Sequence, residues 1–163
     1  MGFGLNLQLH SGIDTSAGSN LLGANHPVIL CTWQPGARLL VGDHFGMTGG
    51  SIIAAERITI GNHVAVGANT TIMDTDFHPL SASERKQHPQ NANTAPIIIE
   101  DDVFIGVNCL ILKGVTIGCG SVIGAGSVVA KSIPPGVIAA GNPARGAGWM
   151  PPPVSFVMAL PAG

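Results

Sequence analysis

The chain has 163 residues, of which 10% are charged and 45% hydrophobic, with a formal net charge of −2. That length suits one domain, the near-neutral charge gives no electrostatic footprint for nucleic acid, and no apolar run approaches the roughly 18 residues of a membrane span. The 23 glycines and 12 prolines do not mark a disordered chain, because the glycines stand in register with a periodic apolar set.

Residues 1–27 are weakly patterned. Met1-Gly2-Phe3-Gly4-Leu5 lacks the basic region and apolar core of a secretory signal, so none is expected. Ser, Asn and Gly dominate Ser11–Asn25, which reads as an irregular lead-in. A spacing of six then begins: Ile29, Pro35, Val41, Met47 and Ile53. After one extra residue, placed near Glu56-Arg57, it continues as Ile60, Val66 and Ile72. Between Ile72 and Ile99 the spacing is 27 residues. An excursion, residues 73–95, therefore leaves the repeat and returns to it. It carries the densest polar chemistry of the chain: Asp74, Asp76, His78, Glu84, Arg85, Lys86 and His88. A loop this long in a compact solenoid points to function.

From Ile99 the repeat is unbroken: Ile99, Ile105, Ile111, Ile117, Ile123, Val129. Four positions after the first five stand small or β-branched residues, Val103, Cys109, Val115, Ser121 and Ser127. A helix would repeat at about 3.6 and a half-buried strand at 2. Period six with glycine punctuation marks a hexapeptide solenoid, an all-β parallel β-helix. Each hexapeptide supplies one short strand and one turn. The aliphatic side chain points inward, the small residue fills the corner, and the glycine after the aliphatic is read as serving a sharp turn, often at positive φ. A β-sandwich would instead show alternating strands with turns every 8–12 residues or so. The spacing predicts about four to five coils within a domain at 28–145. Lys131–Gly136 reads as a turn and cap, and residues 146–163 as a Pro-rich tail. So few charges on a solvent-facing prism suggest faces hidden in an oligomer.

Ile99–Arg145 resembles the hexapeptide-repeat O-acetyltransferases, above all the maltose/galactoside type and the surface-polysaccharide acetyltransferases. The resemblance implies a left-handed coil, although general chirality rules favour right-handed crossovers. It also implies acetyl-CoA as co-substrate, a homotrimer, and a saccharide or other small-molecule acceptor.

His78 lies in Asp74-Thr75-Asp76-Phe77-His78-Pro79. Pro79 biases it to extended backbone, and an imidazole can accept a proton at neutral pH. By itself it could equally be a solvated loop histidine. The family carries a catalytic histidine before a proline at this loop, and His78 matches it in motif and place. Asp74 or Asp76 could fix its tautomer, and so could a backbone carbonyl. The resemblance further implies cofactor-binding roles for Phe104, Gly106, Ala125, Gly126, Ala130, Lys131, Asn142 and Arg145. Phe104 would flank the thioester, the small residues would admit the pantetheine, and Lys131 and Arg145 would face the nucleotide phosphates. After Arg145 the relatives continue with aliphatics and a second basic residue, where Gly146-Ala147-Gly148-Trp149 stands here. Hydroxyl transfer by general-base catalysis through a ternary complex is the expected reaction.

Cys31, Cys109 and Cys119 form no disulfide framework or zinc motif, and a reducing cytoplasm is expected. An acyl-cysteine is disfavoured, because Cys109 sits at an interior slot and neither Cys31 nor Cys119 neighbours a histidine motif. Two rivals remain. A γ-class carbonic anhydrase uses the same prism with two histidines five apart, whereas the closest pair here, His78 and His88, is ten apart; no metal is expected. The other is a non-catalytic scaffold, against which the His78 and Asn142–Arg145 motifs speak.

Overall fold

A computed structural model describes residues 7–9 and 27–149. The chain winds into a three-faced parallel β-helix. The first face stacks β1 (Leu7–Leu9), β3 (Arg38–Val41), β6 (Arg57–Ile60), β9 (Ile97–Ile99) and β12 (Thr116–Ile117). The second stacks β4 (Gly46–Met47), β7 (Ala65–Val66), β10 (Phe104–Ile105), β13 (Val122–Ile123) and β15 (Val137–Gly141), with β16 (Ala144–Trp149) added antiparallel. The third stacks β2 (Val28–Thr32), β5 (Gly50–Ala54), β8 (Thr70–Met73), β11 (Leu110–Ile111) and β14 (Val128–Val129). The one helix among the described residues, α1 (Ala82–Gln87), belongs to the excursion and buries no side chain. It is far too short to cross a membrane.

Three columns of side chains fill the prism. Val41, Ile60, Ile99 and Ile117 are aligned in one, and Met47, Val66, Ile105, Ile123 and Ala139 in the second. Leu30, Ile52, Ile72, Ile111 and Val129 make the third. Nearly all are fully buried. Burying one such aliphatic side chain is worth about 1.5–3 kcal/mol, and repetition of that gain holds the coil shut.

The third column corrects the earlier half of the repeat. Ile29 is 47% exposed, Pro35 lies in an exposed turn and Ile53 is half-buried. The inward residues are Leu30 and Ile52. Met47 to Ile52 is a short step and Ile52 to Ile60 a long one, so the irregularity is split between two corners. The short corner passes through Gly49 and Gly50, at φ 57° and 142°. The long corner holds Ala55, Glu56 and Arg57.

The glycines fall into two kinds. Gly67 and Gly106, each directly after an inward aliphatic, do not stand at positive φ. A Cβ on Gly67 would lie 2.6 Å from Val107 N, and one on Gly106 2.7 Å from Ala125 N, so these glycines let successive coils touch. The left-handed corner residues are often not glycine: His44, His63 and Asp102 at one corner of successive coils, Asn69 and Asn108 at another. Asn, Asp and His are the side chains that best tolerate that conformation.

Both ends extend further than the repeat indicates. Leu7–Leu9, read as lead-in, pairs parallel with β3. Beyond Val129, Ile133 bridges Ile117 in parallel and β15 continues the second face, so Lys131–Gly136 is a corner and not the end. The stacks are therefore five and six strands deep, against about four to five coils read from the period. Gly146–Trp149 form strand β16 and not tail; residues 10–26 and 150–163 lie outside the described residues.

The corrected register has a direct check. Ile52→Ala should lose about 2–5 kcal/mol in urea unfolding, and Ile53→Ala about 1 kcal/mol or less. The opposite ranking would restore the uninterrupted spacing of six.

Candidate active site

The site begins where the excursion leaves β8. Asp74 is fully buried, and its carboxylate accepts hydrogen bonds from the backbone N–H groups of Ala55 at 2.6 Å, Glu56 at 2.9 Å and Arg57 at 2.7 Å. Those are the three residues of the long corner in the preceding coil. An anionic acceptor answers three donors that the widened turn leaves out of the ladder. With both oxygens committed, Asp74 is structural, and it does not fix the tautomer of His78.

The root of the loop is then pinned shut. Thr75 and Thr94 form an antiparallel bridge. Asp76 N–H donates to the Asn93 carbonyl at 3.1 Å, and Thr94 Oγ1 donates to Glu56 Oε2 at 2.8 Å. Lys113 Nζ, from the coil above, donates to Asp76 Oδ1 at 2.6 Å, while the buried Asp76 Oδ2 makes no hydrogen bond. Asp76 thus anchors the loop to the prism. Further out, the Arg85 guanidinium donates to the carbonyls of Pro79 and Leu80, and His88 faces Glu84 at 3.4 Å across one helical turn.

Phe77 stands at φ 60°, a conformation that costs an aromatic residue about 1–3 kcal/mol and persists where the surroundings impose it. Its N–H donates to Thr75 Oγ1 at 3.0 Å, and its ring meets Trp33 edge-on at 5.8 Å and 84°. This turn delivers His78 to the surface. His78 Nδ1 lies 3.2 Å from the Pro89 carbonyl oxygen. A carbonyl can only accept, so Nδ1 is the donor in this contact, and in a neutral imidazole so held Nε2 is the nitrogen without a proton. Of the partners left open in the sequence, a backbone carbonyl, that of Pro89, is the one within hydrogen-bond reach of the His78 ring.

His78 opens into a cleft of about 520 Å³ between the end of β2 and the loop, lined by Cys31, Trp33, Gln34, Phe77, Pro89 and Gln90 among others. Three of these, Cys31, Trp33 and Pro89, were not singled out for the site by the sequence, nor was Lys113, which bears on it through Asp76. Pro89, in a second His-Pro pair, and Trp33, one of two tryptophans, were the available hints. Cys31 shares the cleft with His78, which removes the argument that no histidine is near it. Cys109 behaves as expected of an interior residue: burial pushes its thiol pKa up, against a smaller lowering by backbone hydrogen bonds at Ser127 and Gly126.

The remaining candidates are not brought into one place. Phe104 is 49% exposed and lines a shallow hollow of about 280 Å³ with Met47, Thr48 and Gly67. Lys131 and Arg145 line a separate cavity of about 440 Å³ beside Trp149. Ala125, Gly126, Ala130 and Asn142 are exposed and line none of these cavities; the Asn142-Pro143 peptide is cis. Gly106 is buried against the next coil, so its size answers coil contact and offers no surface to a ligand. Two cations on one cavity fit a phosphate-bearing ligand. Among the described residues no group of three His, Cys, Asp or Glu side chains could hold a metal ion.

Residues 96–131 match the family model described as the hexapeptide repeat of succinyl-transferase. The fold matches the crystal structure of a hexapeptide-repeat-containing acetyltransferase from Vibrio cholerae complexed with acetyl coenzyme A, at 34% identity and a TM-score of 0.66, covering 82% of this chain and 74% of that one. The chain belongs to the hexapeptide-repeat acetyltransferase family. A galactoside O-acetyltransferase of Lactococcus lactis is 48% identical over 86 residues, 53% of this chain and 40% of that protein. A tetrahydropyridine-dicarboxylate N-acetyltransferase of Clostridium perfringens is 62% identical over 50 residues, 31% of this chain and 21% of that protein. The chain spans about two fifths of the length of the curated relatives it matches first.

The structural reading of Asp74 predicts that Asp74→Asn, with a neutral and poorer acceptor, loses about 2–4 kcal/mol of stability. His78→Ala, at an exposed site, should stay within about 0.5 kcal/mol of wild type. Urea unfolding checks both; an Asp74→Asn protein as stable as wild type would contradict the assignment.

Proposed function

We propose that this chain is an acetyl-CoA-dependent O-acetyltransferase that acylates a hydroxyl of a sugar or saccharide. The observation that carries the reading is the placement of His78, which lines the cleft while its Nδ1 is held by the Pro89 carbonyl, leaving Nε2 as the nitrogen available to take a proton. The acetyl-CoA complex of the Vibrio relative and the galactoside O-acetyltransferase activity of the Lactococcus relative support the choice of donor and acceptor.

The chemistry follows from that geometry. The acceptor hydroxyl sits against His78 Nε2, which takes its proton as the oxygen attacks the thioester carbonyl. The Pro89 carbonyl steadies the imidazolium that forms. As the tetrahedral centre collapses, the C–S bond breaks, and the imidazolium returns its proton to the departing thiolate. Backbone N–H groups near the carbonyl stabilise the developing oxyanion. Asp76, paired with Lys113, supports this arrangement by fixing the loop root. Lys131 and Arg145 receive the nucleotide phosphates of the donor.

Phe104 and the Lys131–Arg145 cavity are distinct surfaces on one prism, and a donor that uses both needs a second wall. A homotrimer, with a neighbouring prism forming that wall, is part of this reading. The exposed Ile29, Ile98, Phe104 and Val107 give such contacts an apolar motive. Three unpaired cysteines and a thioester donor suit the reducing cytoplasm.

Cys31 supports a second route, in which its thiol is acetylated first and the acceptor attacks afterwards. Direct transfer needs only the base already oriented. It predicts that His78→Ala lowers kcat by roughly 10²–10⁴-fold while the thermal shift caused by acetyl-CoA survives. It also predicts that Cys31→Ala keeps most of the turnover. Near-wild-type turnover of His78→Ala would defeat the base assignment, and an inactive but acetyl-CoA-binding Cys31→Ala would favour the acyl-cysteine.

A further inference from the structure

The cleft around His78 is walled by two aromatic rings set at a right angle. Trp33 is 50% exposed, yet it is not loose. Its backbone N–H donates to the Ala54 carbonyl at 2.6 Å, and its ring is braced by Phe77 in a T-shaped contact. Phe77 is itself held at positive φ, immediately before His78. The same backbone turn that aims the base therefore also fixes the brace of the indole. Half of the indole is left exposed at the strand end, on the wall of the cleft that His78 lines. The side-chain amides of Gln34 and Gln90 border the same space.

We propose that Trp33 is the stacking platform of the acceptor, and that the acceptor is a pyranose ring presenting its C–H face to the indole. The proposal rests on the acetyltransferase reading of the His78 cleft and extends it to substrate class. A pyranose suits these walls because it is amphipathic. One face is a patch of C–H groups, attracted to the negative face of an aromatic ring, and its edge is a ring of hydroxyls. With that face on Trp33, edge hydroxyls reach the amides of Gln34 and Gln90, and another is directed to Nε2 of His78. An open-chain alcohol has no such face and gains nothing from the indole. Trp33 is a specificity residue here: it holds the acceptor and takes no part in proton transfer.

The test uses the full chain labelled with 5-fluorotryptophan. The two tryptophan resonances are assigned by Trp33→Phe, and the protein is titrated with methyl galactoside, methyl glucoside, methyl mannoside and methyl N-acetylglucosaminide, with glycerol as the open-chain control. At least one glycoside should shift the Trp33 resonance saturably and serve as acceptor, and glycerol should not. For that glycoside Trp33→Ala should raise the acceptor KM about three- to tenfold, leaving the KM for acetyl-CoA unchanged, with Trp33→Phe in between. A Trp33 resonance indifferent to every glycoside, or an acceptor KM unmoved in Trp33→Ala, would overturn the proposal. Loss of the acetyl-CoA thermal shift in wild type would instead defeat the underlying reading, so the two failures are separable.

Discussion

The interior of the prism is filled by aliphatic side chains stacked in register from coil to coil, and the coils are close enough for backbone to meet backbone beside them. Each coil must put its aliphatic residue under that of the next, or both lose their burial. Glycine at Gly67 and Gly106 is the price of that closeness. The same constraint makes the excursion possible. Ile60 and Ile99 are paired although the whole loop lies between them, because the column resumes in register and the loop need only start and finish at one corner.

The candidate site is built where the column is least regular. The long corner at Ala55–Arg57 leaves three N–H groups outside the ladder, and Asp74, the first residue after β8, gathers all of them. A defect in one coil is thereby tied to the departure point of the loop in the next. Thr75, Asp76 and Lys113 close the root, Phe77 turns the chain, and His78 meets the Pro89 carbonyl supplied by the far side of the same loop. Rigid strands on one side and a braced loop on the other hold His78, with the Pro89 carbonyl and not a carboxylate at its Nδ1.

The sequence made the coil plain from Ile99 to Val129, because there every strand and corner has the same length. It misled at Ile29 and Ile53. A short step followed by a long one sums to nearly two regular repeats, and only the pairing of Ile52 with Leu30 and Ile72 shows which residue faces inward. His78 was visible through its motif, but its partner was not: Pro89 lies 11 residues away across a loop with no period to follow. Asp74 and Asp76 read as equivalent neighbours of His78, yet the chain leaves the strand after Met73, so that Asp74 is buried against the corner of the preceding coil while Asp76 meets Lys113, 37 residues on. Trp33 and Cys31 reach the cleft only because β2 stacks below β5 and β8, a consequence of the full coil and not of any local pattern. The residues expected to bind the cofactor follow a family pattern, and the single prism distributes them over separate surfaces.

The central claim, that this family member uses acetyl-CoA as its donor, is tested most directly by titration calorimetry of acetyl-CoA into the wild-type protein. The account predicts saturable binding at one site per chain, weakened when Lys131 and Arg145 are both replaced by alanine. A folded protein that takes up no acetyl-CoA across the millimolar range would contradict it.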